Sequence, residues 1–256
     1  MNCGKPVGAA RADGVTGNGL PVACRWVCYD RGMCGRYTLT KPKELLKRFP
    51  NIQLPMNCAP RYNIAPTQPV LAVTNAKPEE FQPMHWGLIP SWAKDPSIGS
   101  RMINARAETL REKPAYRTAF RRRRCLVPAD GFYEWKPGPA KTKTPTYIRM
   151  KSGEPFMIAG LWEVWTGPDG EEIPSCTLVT AEPNELVKPI HDRMIVILPE
   201  EHFAHWLDPS ERPPDALETL LKPYPADEME AYAVSTAVNS PKHDTPDCIE
   251  PAGASE

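Results

Sequence analysis

Apolar positions in this chain come in short runs, not in long helical stripes. Residues 70–73, 81–86, 125–127, 132–135, 146–150, 157–165, 176–180, 194–198 and 231–234 are rich in Val, Ile, Trp, Tyr and Phe and are bounded by turn-forming residues. That pattern predicts strands. Residues 36–39 form a further strand candidate. Behind them, Thr40 is placed to cap a short helix whose inner face carries Leu45, Leu46 and Phe49. Three more short helices are predicted at 115–122, 199–206 and 215–221, while Pro60 and Pro66 mark residues 58–66 as an extended loop. Many strands at irregular spacing with few helices predict an α+β domain: a strongly bent, barrel-like, mainly antiparallel sheet with short flanking helices.

Composition sharpens this reading in one respect. The 256 residues include 31 prolines, where average usage gives roughly 13, which disfavours long helices. These prolines lie among Trp, Tyr, Ile and Val, so the chain reads as folded. No apolar run approaches the ~18 residues of a membrane span, and no secretory h-region opens the sequence. A soluble, cytoplasmic monomer without a membrane partner is expected, nucleoid-associated if bacterial.

Net charge is zero, but its distribution is uneven. Between Arg101 and Arg124 nine basic residues face Glu108 and Glu112, whereas from Glu200 onward thirteen acids face three bases. The basic sector, ending in Arg121-Arg122-Arg123-Arg124, can track a phosphate backbone or be a solvated face.

Eight cysteines are scattered without a framework. Cys24 and Cys28 lack a second close pair, so no metal site and no cofactor are expected. Residues 1–32 show no periodicity and read as a disordered extension, a removed pro-segment or sequence upstream of a true start at Met33, the last being favoured. Residues 34–240 form the expected domain, and 241–256 a flexible tail.

The most reactive chemistry sits in Met33-Cys34-Gly35-Arg36-Tyr37. With Met33 removed, Cys34 carries a free α-amine, of reference pKa about 7.7–8.0, beside a thiol. Such a 1,2-aminothiol condenses with an aldehyde to an imine that the thiol closes into a thiazolidine. Three polar residues stand in contexts that suit them to assist. Asn104 can orient a thiol or hydroxyl, or bond its own backbone. Glu134, in an aromatic-lined strand, gains a raised pKa if it faces inward, and is an ordinary surface acid if it does not. His191 precedes an apolar strand and suits proton transfer or core packing. His202 and His205 share a surface-type helix face and read as solvated. Trp86 and Trp92, beside Gly and Pro, can stack on bases, although one of the two is expected in the core.

Six segments occur in one order: 33–37, Arg61-Tyr62-Asn63-Ile64-Ala65-Pro66, 86–92, Ile103-Asn104-Ala105-Arg106-Ala107-Glu108-Thr109, 129–135 and Ile190-His191-Asp192-Arg193-Met194. Together they resemble the SRAP (SOS-response-associated peptidase) family. The resemblance implies a DNA-damage response protein whose N-terminal cysteine crosslinks to the ring-opened aldehyde of abasic sites in single-stranded DNA, and which cleaves its own leader where one precedes the cysteine. It implies that Cys34 supplies amine and thiol, Asn104 holds the reacting end, Glu134 assists imine formation and His191 moves protons. Arg36 and Arg106 would clamp phosphates, and Asn63, Trp86 and Trp135 would lie along the DNA. A cysteine peptidase acting on its own leader, and a plain single-strand binder, are the competing readings.

Overall fold

The computed structural model describes residues 34–55 and 58–253; the expectations for residues 1–32 lie outside them. In chain order the first seven strands are β1 (Tyr37–Leu39), β2 (Arg61–Ile64), β3 (Pro69–Thr74), β4 (Lys77–Trp86), β5 (Asn104–Arg106), β6 (Arg124–Ala129) and β7 (Gly131–Pro137). The remainder are β8 (Lys143–Met150), β9 (Phe156–Thr166), β10 (Glu172–Ala181), β11 (Met194–Ile195), β12 (Ile197–Leu198) and β13 (Met229–Ala233). Five of them close on one another in the order β10, β4, β3, β6, β9 and back to β10. Closure removes the free edges of a sheet and explains why β6 and most of β9 are buried along their whole length. Only the β4–β10 seam in this ring is parallel, at Ser175↔His85 and Cys176↔Trp86.

Beyond Cys176, β4 leaves and β5 takes its place along β10, with Asn104 opposite Leu178. The exit of β4 depends on Gly87, at φ +137°, where a Cβ would sit 2.4 Å from the Gly99 carbonyl oxygen. No other residue type fits that turn. Residues 194–198 were predicted as one strand and are two. The Val196 amide binds Val179 O and its carbonyl accepts from the Ala159 amide, so β11 pairs with β10 and β12 with β9.

A second, antiparallel sheet runs β13-β8-β7-β1-β2. Its register sets the chemistry. Tyr37 pairs with Phe132, and the Tyr133 amide binds Arg36 O at 3.0 Å. Extending that antiparallel register two residues beyond β1 sets Gly35 opposite Glu134, one residue from Cys34. The short β1 is held at its far end by Asp130, whose carboxylate accepts from Thr38 Oγ1 (2.5 Å), Thr40 Oγ1 (2.8 Å) and the Lys41 amide (3.0 Å).

Thr40 therefore does not cap the first helix. Lys41 occupies that position for α1 (Pro42–Arg48), which buries Leu45 but leaves Leu46 41% exposed. Three helices follow where they were predicted, as α2 (Arg117–Arg122), α3 (Phe203–Trp206) and α4 (Pro214–Glu218). β2 lies within the segment read as a loop, because its prolines flank the paired residues and interrupt none of them.

Residues 241–253, expected as a flexible tail, pack against the domain. Asp244 accepts from the Tyr62 and Asn63 amides at 2.5 and 2.8 Å, Cys248 is fully buried, and the Ala252 amide binds Ala233 O at 2.8 Å. The run at 121–124 that ends the basic sector also has partners within the protein. Arg121 and Arg122 pair with Glu211, and Arg123 pairs with Glu163. Arg124 is fully buried and donates to the carbonyls of Trp206, Phe120, Arg121, Asp208 and Ser210. Arg124 is thereby withheld from a phosphate backbone, whereas Arg121 and Arg122 stay more than half exposed in their ion pairs.

Candidate functional site

Three strands and one turn converge where β1 begins. Cys34 arrives from β1, Glu134 from β7 and Asn104 from β5, while His191 lies in the turn before β11. The Cys34 sulfur, a Glu134 carboxylate oxygen and a His191 ring nitrogen all lie within 4.8 Å of one another. Within this group Glu134 Oε2 and His191 Nε2 are 3.9 Å apart. Sequence separations of 57 and 100 residues collapse to a single contact.

Each member is oriented by backbone. Asn104 donates Nδ2 to Cys34 O at 2.6 Å, fixing the residue that carries the thiol. The Cys34 thiol donates to Arg193 O at 3.6 Å. His191 Nδ1 lies 3.0 Å from both the amide and the carbonyl of Arg193, so the same peptide that faces the thiol also sets the imidazole. Arg193 is itself held by a two-pronged ion pair with Glu108, at 2.8 and 2.9 Å, and by Thr180 O at 2.6 Å.

Electrostatics follow from burial. Glu134 is 2% exposed. Desolvation, reinforced by Asp192 and opposed by the Cys34 hydrogen bond, pushes its carboxyl up to about 8. It is thus a protonated acid at neutral pH, poised to donate and then to accept. The Cys34 thiol is pushed well above its ordinary value, first by burial and then by Glu134. Among the described residues, neither Glu134 Oε1 nor Asn104 Oδ1 has a hydrogen-bond partner. Buried orphan acceptors are costly, and here both border the sulfur-bearing residue. A cleft of about 590 Å³, lined by Glu182, Glu185, Lys188, His191 and Asp192 among others, opens over the imidazole.

The remaining predicted residues divide. Trp86 is 1% exposed, packs edge-on to Tyr37 at 5.3 Å between centroids and donates Nε1 to Ile103 O. It is core and offers no face to a base. Its neighbour in the motif, Trp92, is 61% exposed, and the alternation of Gly, Pro and Trp in that loop could not say which ring would be outside. Asn63 is fully buried and ties Val238, Ser240 and His243 carbonyls to β2. Arg36 gives its terminal nitrogens to Asn63 Oδ1, Val238 O and Asn239 O. These bonds brace residues 238–239 against the start of β1 while the side chain stays partly exposed. Trp135 is half-buried, lies beneath the Arg36 guanidinium at 5.9 Å and donates to Asn239 Oδ1. Arg106 alone among the expected cations stands exposed beside the site, two residues after Asn104.

The fold and site define a class: a closed five-stranded barrel with a buried cysteine and acid and a partly exposed histidine at the mouth of an adjoining sheet. Residues 33–241 match the family described as SOS response associated peptidase (SRAP), and the chain belongs to that family. It is 49% identical over 223 residues to the abasic site processing protein YoqW of Bacillus subtilis (strain 168), covering 85% of this chain and 99% of that one. The abasic site processing protein HMCES of Rattus norvegicus is 30% identical, over 86% and 76% of the two chains. A solved structure of a protein from Bacteroides thetaiotaomicron superposes with a TM-score of 0.77 at 28% identity, covering 86% of this chain and all of that one.

Proposed function

We propose that this protein handles DNA damage by forming a covalent thiazolidine between Cys34 and the aldehyde of an abasic site in single-stranded DNA, shielding the lesion from strand cleavage. The observation that carries the reading is the clustering of thiol, carboxyl and imidazole within 4.8 Å. The printed names of the bacterial and mammalian relatives, all abasic site processing proteins, support it.

The reaction requires Cys34 as the first residue, because with Met33 attached its nitrogen is an amide. The free amine adds to the aldehyde, giving a carbinolamine. Glu134 donates its proton to the departing hydroxyl, water leaves, and the iminium remains. The resulting carboxylate takes the thiol proton, and the thiolate closes the ring on the iminium carbon. One water is released and Glu134 is regenerated as the acid. His191, across from Glu134, serves the hemiacetal proton during sugar ring-opening, and Asn104 holds Cys34 at the reacting angle. Arg106 supplies the phosphate contact.

A second reading, self-cleavage of the leader at Cys34, uses the same three groups and is favoured by the acid-lined cleft over His191, since residues 1–33 carry four basic and two acidic side chains. Mass measurement of purified full-length protein separates it: a new terminus at Cys34 that is lost in Glu134→Gln supports it. For the primary reading, a Met33-initiated chain is incubated with an abasic single-stranded oligonucleotide and run on a denaturing gel. A one-to-one adduct absent in Cys34→Ala is expected. No adduct, or one unaffected by the substitution, rejects it.

A further inference from the structure

We infer that the Cys34, Glu134 and His191 side chains form a binding site for a thiophilic divalent cation, of which zinc is the representative, and that occupancy withholds the thiol from electrophiles.

The donor set is the first argument. A thiolate, a carboxylate and an imidazole are zinc's three preferred protein ligands, and three of them with an open fourth position match the arrangement of accessible zinc sites. Tetrahedral zinc with bonds of about 2.0–2.3 Å holds its donor atoms about 3.3–3.8 Å apart. The Glu134–His191 separation is already 3.9 Å and no pair of the three exceeds 4.8 Å. Closing the set asks only for small side-chain rotations.

The orphaned carboxylate oxygen supplies the second argument. Glu134 is 2% exposed and its Oε1 has no hydrogen-bond partner among the described residues. A buried acceptor of that kind needs a cation or a proton. The surroundings of His191 are the third. Metal-bound histidines commonly donate their other ring N–H to a backbone carbonyl, and His191 Nδ1 lies 3.0 Å from Arg193 O, with Asp192 Oδ1 at 3.3 Å. The Arg193 amide also donates to Nδ1 at 3.0 Å, and binding through Nε2 shifts the ring to the tautomer in which Nδ1–H donates to Arg193 O. The thiol proton and the Glu134 carboxyl proton both pass to solvent as sulfur and carboxylate coordinate. When the α-amine of Cys34 is free, it can take the fourth position, otherwise water does.

Ligand spacing hides this site from the sequence, since metal sets are recognised by close pairs and these ligands are dispersed over more than 150 positions. The binding itself stands independently of the reaction proposed above; only its consequence, blocked crosslinking, rests on that reading.

The test uses the full chain with Cys3, Cys24 and Cys28 replaced by serine, so that leader thiols do not compete. Zinc is titrated against a chromophoric zinc indicator, and cobalt(II) is added separately to read thiolate-to-metal charge transfer. One equivalent of zinc and a cobalt–thiolate band are expected. Cys34→Ser abolishes the band, and Glu134→Gln and His191→Ala each weaken zinc binding by about tenfold or more, while Cys58→Ser changes neither. Binding that survives Cys34→Ser, or the absence of stoichiometric binding, overturns the site. On a Met33-initiated chain, zinc slows oligonucleotide adduct formation and a chelator restores it. Zinc binding without any adduct in metal-free buffer would sink the crosslinking reading and leave the metal site standing, whereas an adduct formed at an unchanged rate under saturating zinc would overturn the proposed blocking.

Discussion

Asn104 donates its side-chain amide to the carbonyl of Cys34 at 2.6 Å across 70 residues of sequence. That bond connects β5, anchored along β10 of the barrel, to the segment leading into β1 in the other sheet. It makes the barrel the reference frame for the reactive thiol. Replacing Asn104 with alanine removes one hydrogen bond, a cost of about 1 kcal/mol in stability, while releasing Cys34 from its reacting angle. Adduct formation is expected to slow by about tenfold or more, since misplacing a reacting group by about 1 Å can cost a hundredfold. Single-turnover rates and a urea midpoint, measured together, check the separation.

Glu134 makes stability depend on pH. Its native carboxyl titrates at about 8, far above the unfolded value of about 4.3. Between those values the native state holds a proton that the unfolded state has lost, so stability falls as pH rises, by about 1.4 kcal/mol per pH unit at most. Glu134→Gln removes that slope. The variant is expected to be more stable than the parent at pH 7–8, by up to a few kcal/mol, and the difference shrinks toward pH 4. Thermal melts across that range read it directly.

Much of this architecture was legible in the chain. Strands with both faces buried, such as β6 and β9, announce themselves as apolar runs, whereas the aromatic setting of Glu134 left an inward acid and a surface acid both open. What was lost depends on partners far away in sequence. β5 is three residues long and exists because β4 departs from β10 at Gly87. Trp86 and Trp92 have the same local signals, and only the barrel decides that the first is core. Asn63 reads as a DNA contact until residues 238–243 fold back to bury it. The tetrad at 121–124 looks like a phosphate track because the acids that answer it, Glu163 and Glu211, lie 40 and about 90 positions on.

Arg124 and Arg106 make a matched contrast. Arg124→Met strips five carbonyls of a buried donor and is expected to destabilise by about 3 kcal/mol or more, lowering the denaturant midpoint. Arg106→Ala is expected to leave the midpoint unchanged within about 0.5 kcal/mol. Its effect falls on single-stranded DNA, where loss of one phosphate contact reduces the salt slope of log K by about 0.7.

Trp92, the exposed tryptophan, is expected to serve where Trp86 does not. Trp92→Ala should weaken single-strand binding by about 1–3 kcal/mol with no change in melting temperature. Trp86→Ala should cost about 3–5 kcal/mol of stability. Fluorescence anisotropy beside thermal melts distinguishes the two tryptophans.

The central claim is that nitrogen and sulfur of Cys34 both bond to one sugar carbon. Intact mass measurement of the purified adduct, before and after borohydride and with an alkylating thiol probe, tests it. The account predicts a mass equal to protein plus oligonucleotide less one water, unchanged by borohydride, with no free thiol at Cys34. An adduct that takes up hydride, or one in which Cys34 can still be alkylated, would contradict it.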